Sequence, residues 1–366
     1  MKITKIVITG GPCGGKTTAM GKIQKKFSRA GYKVLFIAET ATELITGGVA
    51  PWTLVSNEEY QKCQISLQKR KEEIYQTAAE NMGAEKVLIV CDRGVMDNKA
   101  YMNDTEFKNV MQALGLNEVE ERDQYDAVFH LTTAAKGAAE AYTLANNNAR
   151  TETPEQAIEV DDKLIAAWTG HPHFRVIDNS TSFKKKLDRL VMEIATVLGE
   201  PAPMMIERKF LIRYPDVEKL EQMPNCEKVE IIQTYLHSMG DSEMRVRQRG
   251  RDGQYLFYWT EKRRISDTAR RETGRRISRE EYISLLMQAD PARRPIRKTR
   301  YCLTENSRYY EIDIFPEWEK QALMEIEQRE EKEENVFPQD IQVIREVTND
   351  QTYKNHSLAF CMPEED

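Results

Sequence analysis

The chain has 366 residues, which at about 150 residues per domain predicts two or three domains. Hydrophobic residues make up 40% of the sequence and charged residues 31%, and the longest apolar runs are far shorter than the roughly 20 residues of a membrane-spanning helix, which excludes an integral membrane protein. The net charge is −6, and the six cysteines lack CxxC spacing and a histidine cluster, which excludes a disulfide framework and a structural zinc site. Because the sequence opens on a strand-like run and not on the apolar core of a signal peptide, we expect a cytoplasmic protein.

Residues 1–199 alternate between predicted strands and predicted helices. Short runs rich in Val, Ile and Leu predict strands at residues 6–9, 34–38, 87–91, 127–131 and 175–177. The segments between and after them predict helices, chiefly at residues 16–30, 57–81, 154–168 and 182–198. Short apolar strands separated by helices are typical of a parallel sheet covered on both faces, so we predict an α/β domain over 1–199.

A Gly/Pro cluster at residues 199–203 marks the predicted domain boundary, with 200–203 as the linker. Beyond it, apolar and polar residues alternate with a period of two, which is typical of antiparallel strands. These strands are predicted at residues 206–213, 228–236, 243–249, 254–262, 297–303, 308–315 and 323–328. A capping box at 278–281 predicts one helix over 282–288. We therefore predict an antiparallel α+β domain over 204–360, folded as an eight-stranded barrel, followed by an acidic tail at 361–366.

The segment before the first predicted helix matches the phosphate-loop pattern GxxxxGK[ST] at every fixed position. Its residues, with the threonine that follows, are Gly10, Gly11, Pro12, Cys13, Gly14, Gly15, Lys16, Thr17 and Thr18. In this pattern the backbone N–H groups converge on phosphate oxygens, the lysine approaches the β and γ phosphates, and the threonine hydroxyl faces Mg²⁺. The sequence therefore predicts binding of ATP or GTP together with Mg²⁺ or Mn²⁺.

Further polar residues follow predicted strands of the same sheet. Glu39 ends the second strand, and Asp92 and Arg93 end the third. Ligands of open parallel sheets bind at the carboxyl ends of the strands, so these side chains are expected to face the nucleotide. We expect Asp92 to anchor Mg²⁺ directly or through water, Arg93 to hold phosphate, and Glu39 to accept a proton from an acceptor hydroxyl as a general base. Arg150 is a candidate for a further arginine over the nucleotide.

With these motifs in place, residues 1–199 resemble the AAA-type P-loop domain of ribosylnicotinamide-kinase-like and TRPL-translocation-defect proteins. That domain carries Glu-Thr-Ala-Arg after its second strand, whereas this chain has Thr42 in the position of the arginine. The resemblance implies a nucleotide-binding domain with NTPase or kinase activity.

In the second domain, charged side chains recur at every second position of six predicted strands, which places them on one face. The sets are Glu207 with Lys209; Arg245, Arg247 and Arg249; Thr260 with Lys262; Lys298 with Arg300; Glu311 with Asp313; and Glu325 with Glu327. A solvated outer face is the usual explanation of such a pattern, but it would mix the two signs along each strand, because neighbouring like charges repel. We therefore predict an interior in which basic groups hold a polyphosphate and carboxylates hold a divalent cation. The basic stretch 245–300 carries no nucleic-acid-binding motif, and no nucleic acid is expected.

Residues 204–360 resemble the CYTH superfamily, also called the triphosphate tunnel metalloenzymes. The diagnostic pattern ExExK of that family reads Met205-Ile206-Glu207-Arg208-Lys209 here, with Met205 in place of the first glutamate. The resemblance implies catalytic roles for Glu207 and Lys209. It implies metal binding by Glu207, Glu311, Asp313, Glu325 and Glu327. It implies triphosphate binding by Lys209, Arg245, Arg247, Lys262, Lys298 and Arg300.

Two functions remain open at this point. One is a bifunctional phosphate-handling enzyme that joins a P-loop kinase or NTPase domain to a metal-dependent domain acting on tripolyphosphate, thiamine triphosphate or a nucleoside triphosphate. The other, implied by the resemblance to TRPL-translocation-defect proteins, is a GTP- and phosphoinositide-binding regulatory or trafficking protein with a weakly active or inactive barrel. Met205 and Thr42 favour the binder, whereas the carboxylates on the strands favour the enzyme.

Overall fold

The structure is a computed structural model, and it describes residues 1–138, 140, 153–200, 206–238, 242–264, 270–328 and 335–365. The chain divides into two units, one formed by Met1–Met204 with Asn306–Arg308 and the other by Met205–Glu305 with Tyr309–Asp366. Each unit contains one sheet, and the two sheets differ in kind: the first is parallel and the second antiparallel.

The first unit is built on a five-stranded parallel sheet with the strand order β2-β3-β1-β4-β5. The strands are β1 (Lys2–Thr9), β2 (Lys33–Ile37), β3 (Lys86–Asp92), β4 (Ala127–Leu131) and β5 (Phe174–Ile177). Strand β4 is buried along its whole length, as expected for an inner strand that is covered on both faces. The predicted α/β class and all five predicted strands are confirmed.

Helices surround this sheet, and local capping signals determine where several of them begin and end. They are α1 (Lys16–Arg29), α2 (Thr40–Thr46), α3 (Asn57–Glu80), α4 (Asp104–Ala113), α5 (Glu118–Asp123), α6 (Pro154–Trp168) and α7 (Phe183–Leu198), with a 3-10 helix at Val95–Tyr101. The side chain of Ser56 caps the first turn of α3, and Thr153 and Gln156 form a capping box at the start of α6. Gly199 ends α7 in the left-handed conformation, with φ of 72°.

The second unit is built on a nine-stranded antiparallel sheet with the order β10-β9-β8-β7-β11-β12-β13-β6-β14. The strands are β6 (Ile206–Arg213), β7 (Cys226–Leu236), β8 (Ser242–Arg251), β9 (Gln254–Arg264), β10 (Arg270–Ile277), β11 (Ile296–Glu305), β12 (Arg308–Ile314), β13 (Gln321–Gln328) and β14 (Val343–Glu346). The predicted antiparallel architecture is confirmed, with nine strands and not eight. Within the described residues the strand pairs run in one linear order from β10 to β14, so closure into a barrel stays a prediction.

The additional strands, β10 and β14, lie at the two edges of this sheet. Strand β10 has the sequence RRETGRRI, in which no apolar residue alternates with a polar one before Ile277. Strand β14 has only four residues and pairs with β6 through a shifted register. Neither segment shows the period of two, because an edge strand needs only one partner and less burial than an inner strand.

The apolar face of the second sheet packs into a core. Phe210, Ile312 and Met324, which alternate with charged residues along their strands, pack with Leu220 and Ile341 outside the sheet. The charged residues of the same strands consequently lie on the opposite face.

Short helices complete the second unit. They are α8 (Val217–Gln222), α9 (Arg279–Leu286) and α10 (Asn355–Leu358), with a 3-10 helix at Gln351–Tyr353. The side chain of Ser278 caps α9, as the capping box predicts. Near the chain end, the Glu365 carboxylate accepts hydrogen bonds of 2.6 Å from the N–H groups of Glu319 and Lys320, so the described part of the predicted tail packs against the sheet connection. None of the helices in the described ranges combines the length and the apolar character needed to cross a membrane.

Candidate functional site

The phosphate loop connects β1 to α1 and packs against the end of β4. A Cβ atom at Gly10, where φ is 145°, would lie 2.2 Å from the carbonyl oxygen of Leu131, and one at Gly14 would lie 2.5 Å from the same oxygen. Only glycine fits at such a distance, so the loop follows the sheet closely and α1 begins directly at Lys16. Thr17 and Thr18 in the first turn are exposed, and the free N–H groups of that turn are the feature that binds anions at helix N-termini.

Lys16 is buried next to the end of β3. Burial lowers its pKa, and Arg93 lowers it further, while Asp92, Glu39 and Asp97 raise it. These electrostatic contacts bring together all the charged residues that the sequence assigns to the nucleotide site and that the structure describes. Arg150, the remaining candidate, lies outside the described residues.

Asp92 has the properties of a metal anchor. Its Oδ1 atom is buried and has no hydrogen-bond partner, and burial raises the pKa of the carboxyl group in spite of the nearby Lys16. An unsatisfied carboxylate oxygen in this position is the type of ligand that Mg²⁺ prefers. Together with the exposed hydroxyl of Thr17, the residues present fit a magnesium ion that accompanies a nucleotide.

Arg93 and Glu39 form an ion pair at the same edge of the sheet, with 2.5 Å between Arg93 Nε and Glu39 Oε1. Burial alone would raise the pKa of Glu39, but Arg93 and Lys16 outweigh it and lower the pKa to about 2. Glu39 is therefore ionised at neutral pH and can accept a hydrogen bond, although it is a weaker proton acceptor than an ordinary carboxylate. The Thr42 hydroxyl, in the position where the resembling family has an arginine, donates to Glu39 over 2.6 Å.

Asp97, which the sequence analysis did not single out, holds Arg93 from the other side. Its buried carboxylate accepts hydrogen bonds from Arg93 Nη1 at 3.1 Å, from the N–H of Gly94 at 2.9 Å and from Trp168 Nε1 at 3.1 Å, and it also bonds the Thr9 hydroxyl. Arg93 itself adopts a left-handed backbone with φ of 72°, a conformation that a non-glycine residue keeps only when its surroundings enforce it. In the sequence, the one feature that indicates this role of Asp97 is its position four residues after Arg93.

In the second unit, the strand register places the charged residues of six strands on one face. Arg245, Arg247 and Arg249 of β8 lie opposite Tyr235, Gln233 and Ile231 of β7. Ile231 in turn lies opposite Lys298 of β11. Further along the same face, Glu325 of β13 lies opposite Lys209 of β6 and Glu311 of β12. Arg245, Lys298 and Glu325 are 8%, 6% and 8% exposed, so this face is not the solvated outer surface that a simple alternation would suggest.

Ion pairs between neighbouring strands neutralise part of this face. Asp313 lies 2.5 Å from Lys298 Nζ and accepts two hydrogen bonds from Arg300, at 2.6 and 2.7 Å. Glu325 accepts a hydrogen bond of 3.0 Å from Arg300 and lies 2.7 Å from Lys209 Nζ, and Glu311 pairs with Arg300 as well. The anionic strands β12 and β13 therefore supply the counter-charge for Arg300, Lys298 and Lys209.

The arginines of β8 lie in a different environment. The residues directly opposite them on the two neighbouring strands carry no charge: Tyr235, Gln233 and Ile231 on β7, and Thr260, Tyr258 and Leu256 on β9. Burial, together with Arg245 and Arg300, lowers the pKa of Arg247 to about 10. Burial disfavours the charged guanidinium group, and the neighbouring arginines repel it, so positive charges lie close together in this part of the face.

The carboxylates at the other end of the face are more accessible. Glu207 and Glu327 are exposed and lie directly opposite each other on β6 and β13. The proximity of Glu325 raises the pKa of Glu207. Crowded carboxylates of this kind suit a hard divalent cation, although no three Asp, Glu, His or Cys side chains in the described ranges are grouped as a metal site. Met205 lies outside the described residues, and Lys262 is half-buried on the same face as Arg245.

Together the two units define a protein that handles nucleotides or other phosphates. A family model described as AAA domain matches residues 5–186, so the first unit contains an AAA-type P-loop domain. The inorganic triphosphatase of Nitrosomonas europaea is 32% identical over 170 residues, which are 43% of this chain and 98% of that protein. The carboxy-terminal part of this chain belongs to the family of that triphosphatase.

Solved structures also match the chain. A crystal structure of an inorganic triphosphatase has 27% sequence identity and a TM-score of 0.31, and the match covers 44% of this chain and 97% of that one. A protein of Pyrococcus horikoshii has 20% identity and a TM-score of 0.25, with 34% of this chain and 78% of that one covered.

Replacing Asp97 tests whether this residue holds the arginine at the nucleotide site. We expect Asp97→Ala to lower the free energy of unfolding by about 3 kcal/mol, because it removes the acceptor of a backbone N–H and an indole N–H and leaves the buried Arg93 guanidinium with one of its two carboxylate partners. Urea unfolding followed by circular dichroism measures the change. Asp188→Ala, which removes an exposed partner of Lys22, is the matched control and should leave the transition in place. Equal transitions for the two variants would contradict the role of Asp97.

Proposed function

We propose that this protein is a bifunctional phosphate-handling enzyme. The first unit binds a nucleoside triphosphate with Mg²⁺ and hydrolyses it or transfers its terminal phosphate. The second unit binds tripolyphosphate or another triphosphate and hydrolyses it with the help of a divalent cation. The observation that carries this proposal is the cationic face formed by Arg245, Arg247 and Arg249 of β8, which together with the phosphate loop supports a polyphosphate site in each unit.

In the first unit, the phosphate loop and the residues at the ends of β2 and β3 would hold the nucleotide and its metal. The N–H groups of the phosphate loop and Lys16 contact the phosphates, and Thr17 and Asp92 provide oxygen ligands to Mg²⁺. Arg93, held by Glu39 and Asp97, faces the same space and can neutralise charge on a transferred phosphate. Glu39 would orient an acceptor hydroxyl or a water molecule through its ionised carboxylate.

In the second unit, the arginines of β8 would receive the triphosphate. A triphosphate carries negative charge along its whole length, and guanidinium groups bind phosphate oxygens in a bidentate manner. Lys209, Lys298, Arg300 and Lys262 extend the cationic face. Binding of the anion would offset the repulsion from Arg245 and Arg300, which together with burial lowers the pKa of Arg247.

The carboxylates would hold the divalent cation of the second unit. Glu207, Glu325 and Glu327 are the residues of β6 and β13 with oxygen ligands near one another, and Glu311 and Asp313 lie on the next strand. A bound Mg²⁺ or Mn²⁺ would supply charge neutralisation at the phosphate and an activated water molecule. The resemblance to the CYTH superfamily supports this assignment, with one ligand fewer because of Met205.

A second candidate function is ligand binding without turnover, in which a GTP- or phosphoinositide-binding protein uses both units as receptors. The ion pairs of the second unit favour it. Asp313 is held by Lys298 and Arg300, and Glu325 by Lys209 and Arg300, so a metal ion would have to compete with these cations for both carboxylates.

A panel of two variants separates the two functions and the two units. We expect the purified chain with Mg²⁺ or Mn²⁺ to release phosphate from tripolyphosphate and from a nucleoside triphosphate. Glu325→Gln should lower tripolyphosphate hydrolysis by about 100-fold, because it removes a metal ligand and the partner of Lys209. Lys16→Ala should lower nucleotide affinity at least about tenfold, because it removes the cation at the phosphates, and it should leave the tripolyphosphatase activity unchanged.

Two surface variants serve as controls for this panel. Glu319→Gln and Lys22→Ala change exposed or half-buried side chains outside both sites and should match the wild type. Absence of turnover with every triphosphate, together with tight binding of GTP or of an inositol phospholipid headgroup, would contradict the enzyme and favour the binder.

The pH dependence of triphosphate binding tests the role of Lys298. Burial, reinforced by Arg300, lowers the pKa of this lysine to about 8, even though Asp313 acts in the opposite direction. Lys298 is thus charged at pH 7 and mostly neutral at pH 9, so the affinity for tripolyphosphate should fall by about tenfold over this range. Isothermal titration calorimetry at several pH values measures the affinity for tripolyphosphate.

The variant Lys298→Arg provides the comparison for this pH profile. Arginine keeps its charge to higher pH, so the affinity should vary less between pH 7 and 9 than in the wild type. Lys320→Arg, at an exposed position, should keep the wild-type slope. The same slope in Lys298→Arg and in the wild type would show that another group titrates.

A further inference from the structure

A buried carboxylate on α6 contacts the beginning of the phosphate loop. Asp161 is fully buried, and its Oδ1 accepts hydrogen bonds from the N–H of Gly11 at 3.0 Å and from the N–H of Thr133 at 2.9 Å. The same oxygen lies 2.9 Å from His130 Nε2, and Oδ2 lies 3.1 Å from Lys136 Nζ. One side chain thus joins the loop, the end of β4 and the segment that follows β4.

The packing around this carboxylate leaves the loop little freedom. A Cβ atom at Gly11 would lie 2.7 Å from Asp161 Oδ1, so the glycine allows the carboxylate to reach the backbone. The hydroxyl of Thr133 donates to the carbonyl oxygen of Pro12 over 2.5 Å. The first half of the loop is therefore fixed by α6 and by the residues after β4, whereas Gly15 and Lys16 are fixed by the start of α1.

The donors around Asp161 keep this carboxylate ionised. Burial would raise its pKa, but His130, Lys136 and the N–H of Thr133 outweigh burial and lower the pKa below its usual range. The negative charge is balanced locally by Lys136, so it does not act as a free anion beside the place where phosphates would bind. The N–H of Gly11 points to Asp161 and is consequently not among the loop N–H groups available to a phosphate.

We propose that Asp161 is a positioning residue for the phosphate loop: it fixes the Gly11 peptide so that the N–H groups further along the loop converge on the nucleotide. This inference rests on the proposed nucleotide-binding function of the first unit. Asp161 itself does not touch the nucleotide. It acts on affinity because a loop that is already ordered has less conformational entropy to lose on binding.

Three variants of the full chain test this role. Asp161→Ala removes all four contacts, whereas Asp161→Asn keeps an oxygen for Gly11 and Thr133 but loses the negative charge and replaces the oxygen that accepts from Lys136 by an NH2 group. Asp162→Asn is the matched control, because Asp162 is an exposed neighbour that also pairs with Lys136 but does not contact the loop. Circular dichroism at 25 °C verifies that each variant is folded.

Nucleotide binding is measured as the Kd of MgATP and MgGTP and, where turnover occurs, as KM and kcat separately. In Asp161→Ala we expect the Kd or KM for the nucleotide to rise by about tenfold or more, while kcat stays within about twofold of the wild-type value. In Asp161→Asn the Kd or KM should rise less. In Asp162→Asn it should stay at the wild-type value. A wild-type chain that binds neither nucleotide contradicts the proposed function, whereas wild-type affinity in a folded Asp161→Ala overturns this inference alone.

Hydrogen exchange without nucleotide provides a second measurement that does not depend on binding. The amides of residues 10–17 should exchange faster in both Asp161 variants than in the wild type and in Asp162→Asn, because the loop opens more readily once its anchor is weakened. If Asp161→Ala does not fold, the test rests on Asp161→Asn. Wild-type nucleotide affinity together with wild-type exchange at residues 10–17 in Asp161→Asn then overturns the role of Asp161.

Discussion

Charge compensation between neighbouring strands is the interaction on which the second unit depends. Two or three like charges on one strand are tolerable only where an adjacent strand, or a ligand, supplies the opposite sign. Asp313 and Glu325 supply it for Arg300, Lys298 and Lys209. The residues directly opposite Arg245, Arg247 and Arg249 on the two neighbouring strands are uncharged, and burial, together with Arg245 and Arg300, lowers the pKa of Arg247. The proposed anion binding thus depends on how the strands are ordered, and not on the number of basic residues alone.

In the first unit, charges are also crowded together, here at the carboxyl edge of the parallel sheet. Lys16, Arg93, Glu39 and Asp92 lie within electrostatic range of one another, and only Asp92 keeps a buried oxygen without a partner. Arg93 is held by Glu39 and by Asp97, and Glu39 also accepts a hydrogen bond from Thr42. Burial of charges is unfavourable unless each is paired, so a functional cluster of this density requires such a supporting shell.

The sequence predicted most of this architecture, since periodicity and glycine spacing are local properties. The phosphate loop, the five parallel strands and the alternation of β6, β8 and β13 follow from residues close together in the chain. The edge strands β10 and β14 were missed because an edge strand needs little burial and so carries a weak pattern. Asp97 was missed as well, because its role depends on Arg93 and Trp168 and the latter lies far from it in sequence.

The sequence by itself determined which residues carry charge and which face of a strand they share, because a strand alternates with a period of two. Only the tertiary structure decided which charges neutralise each other: the pairing of β11 with β12 and of β13 with β6 brings Asp313 to Lys298 and Glu325 to Lys209. Electrostatic energy depends on distance in space and on burial, and neither quantity can be obtained from the separation of two residues along the chain.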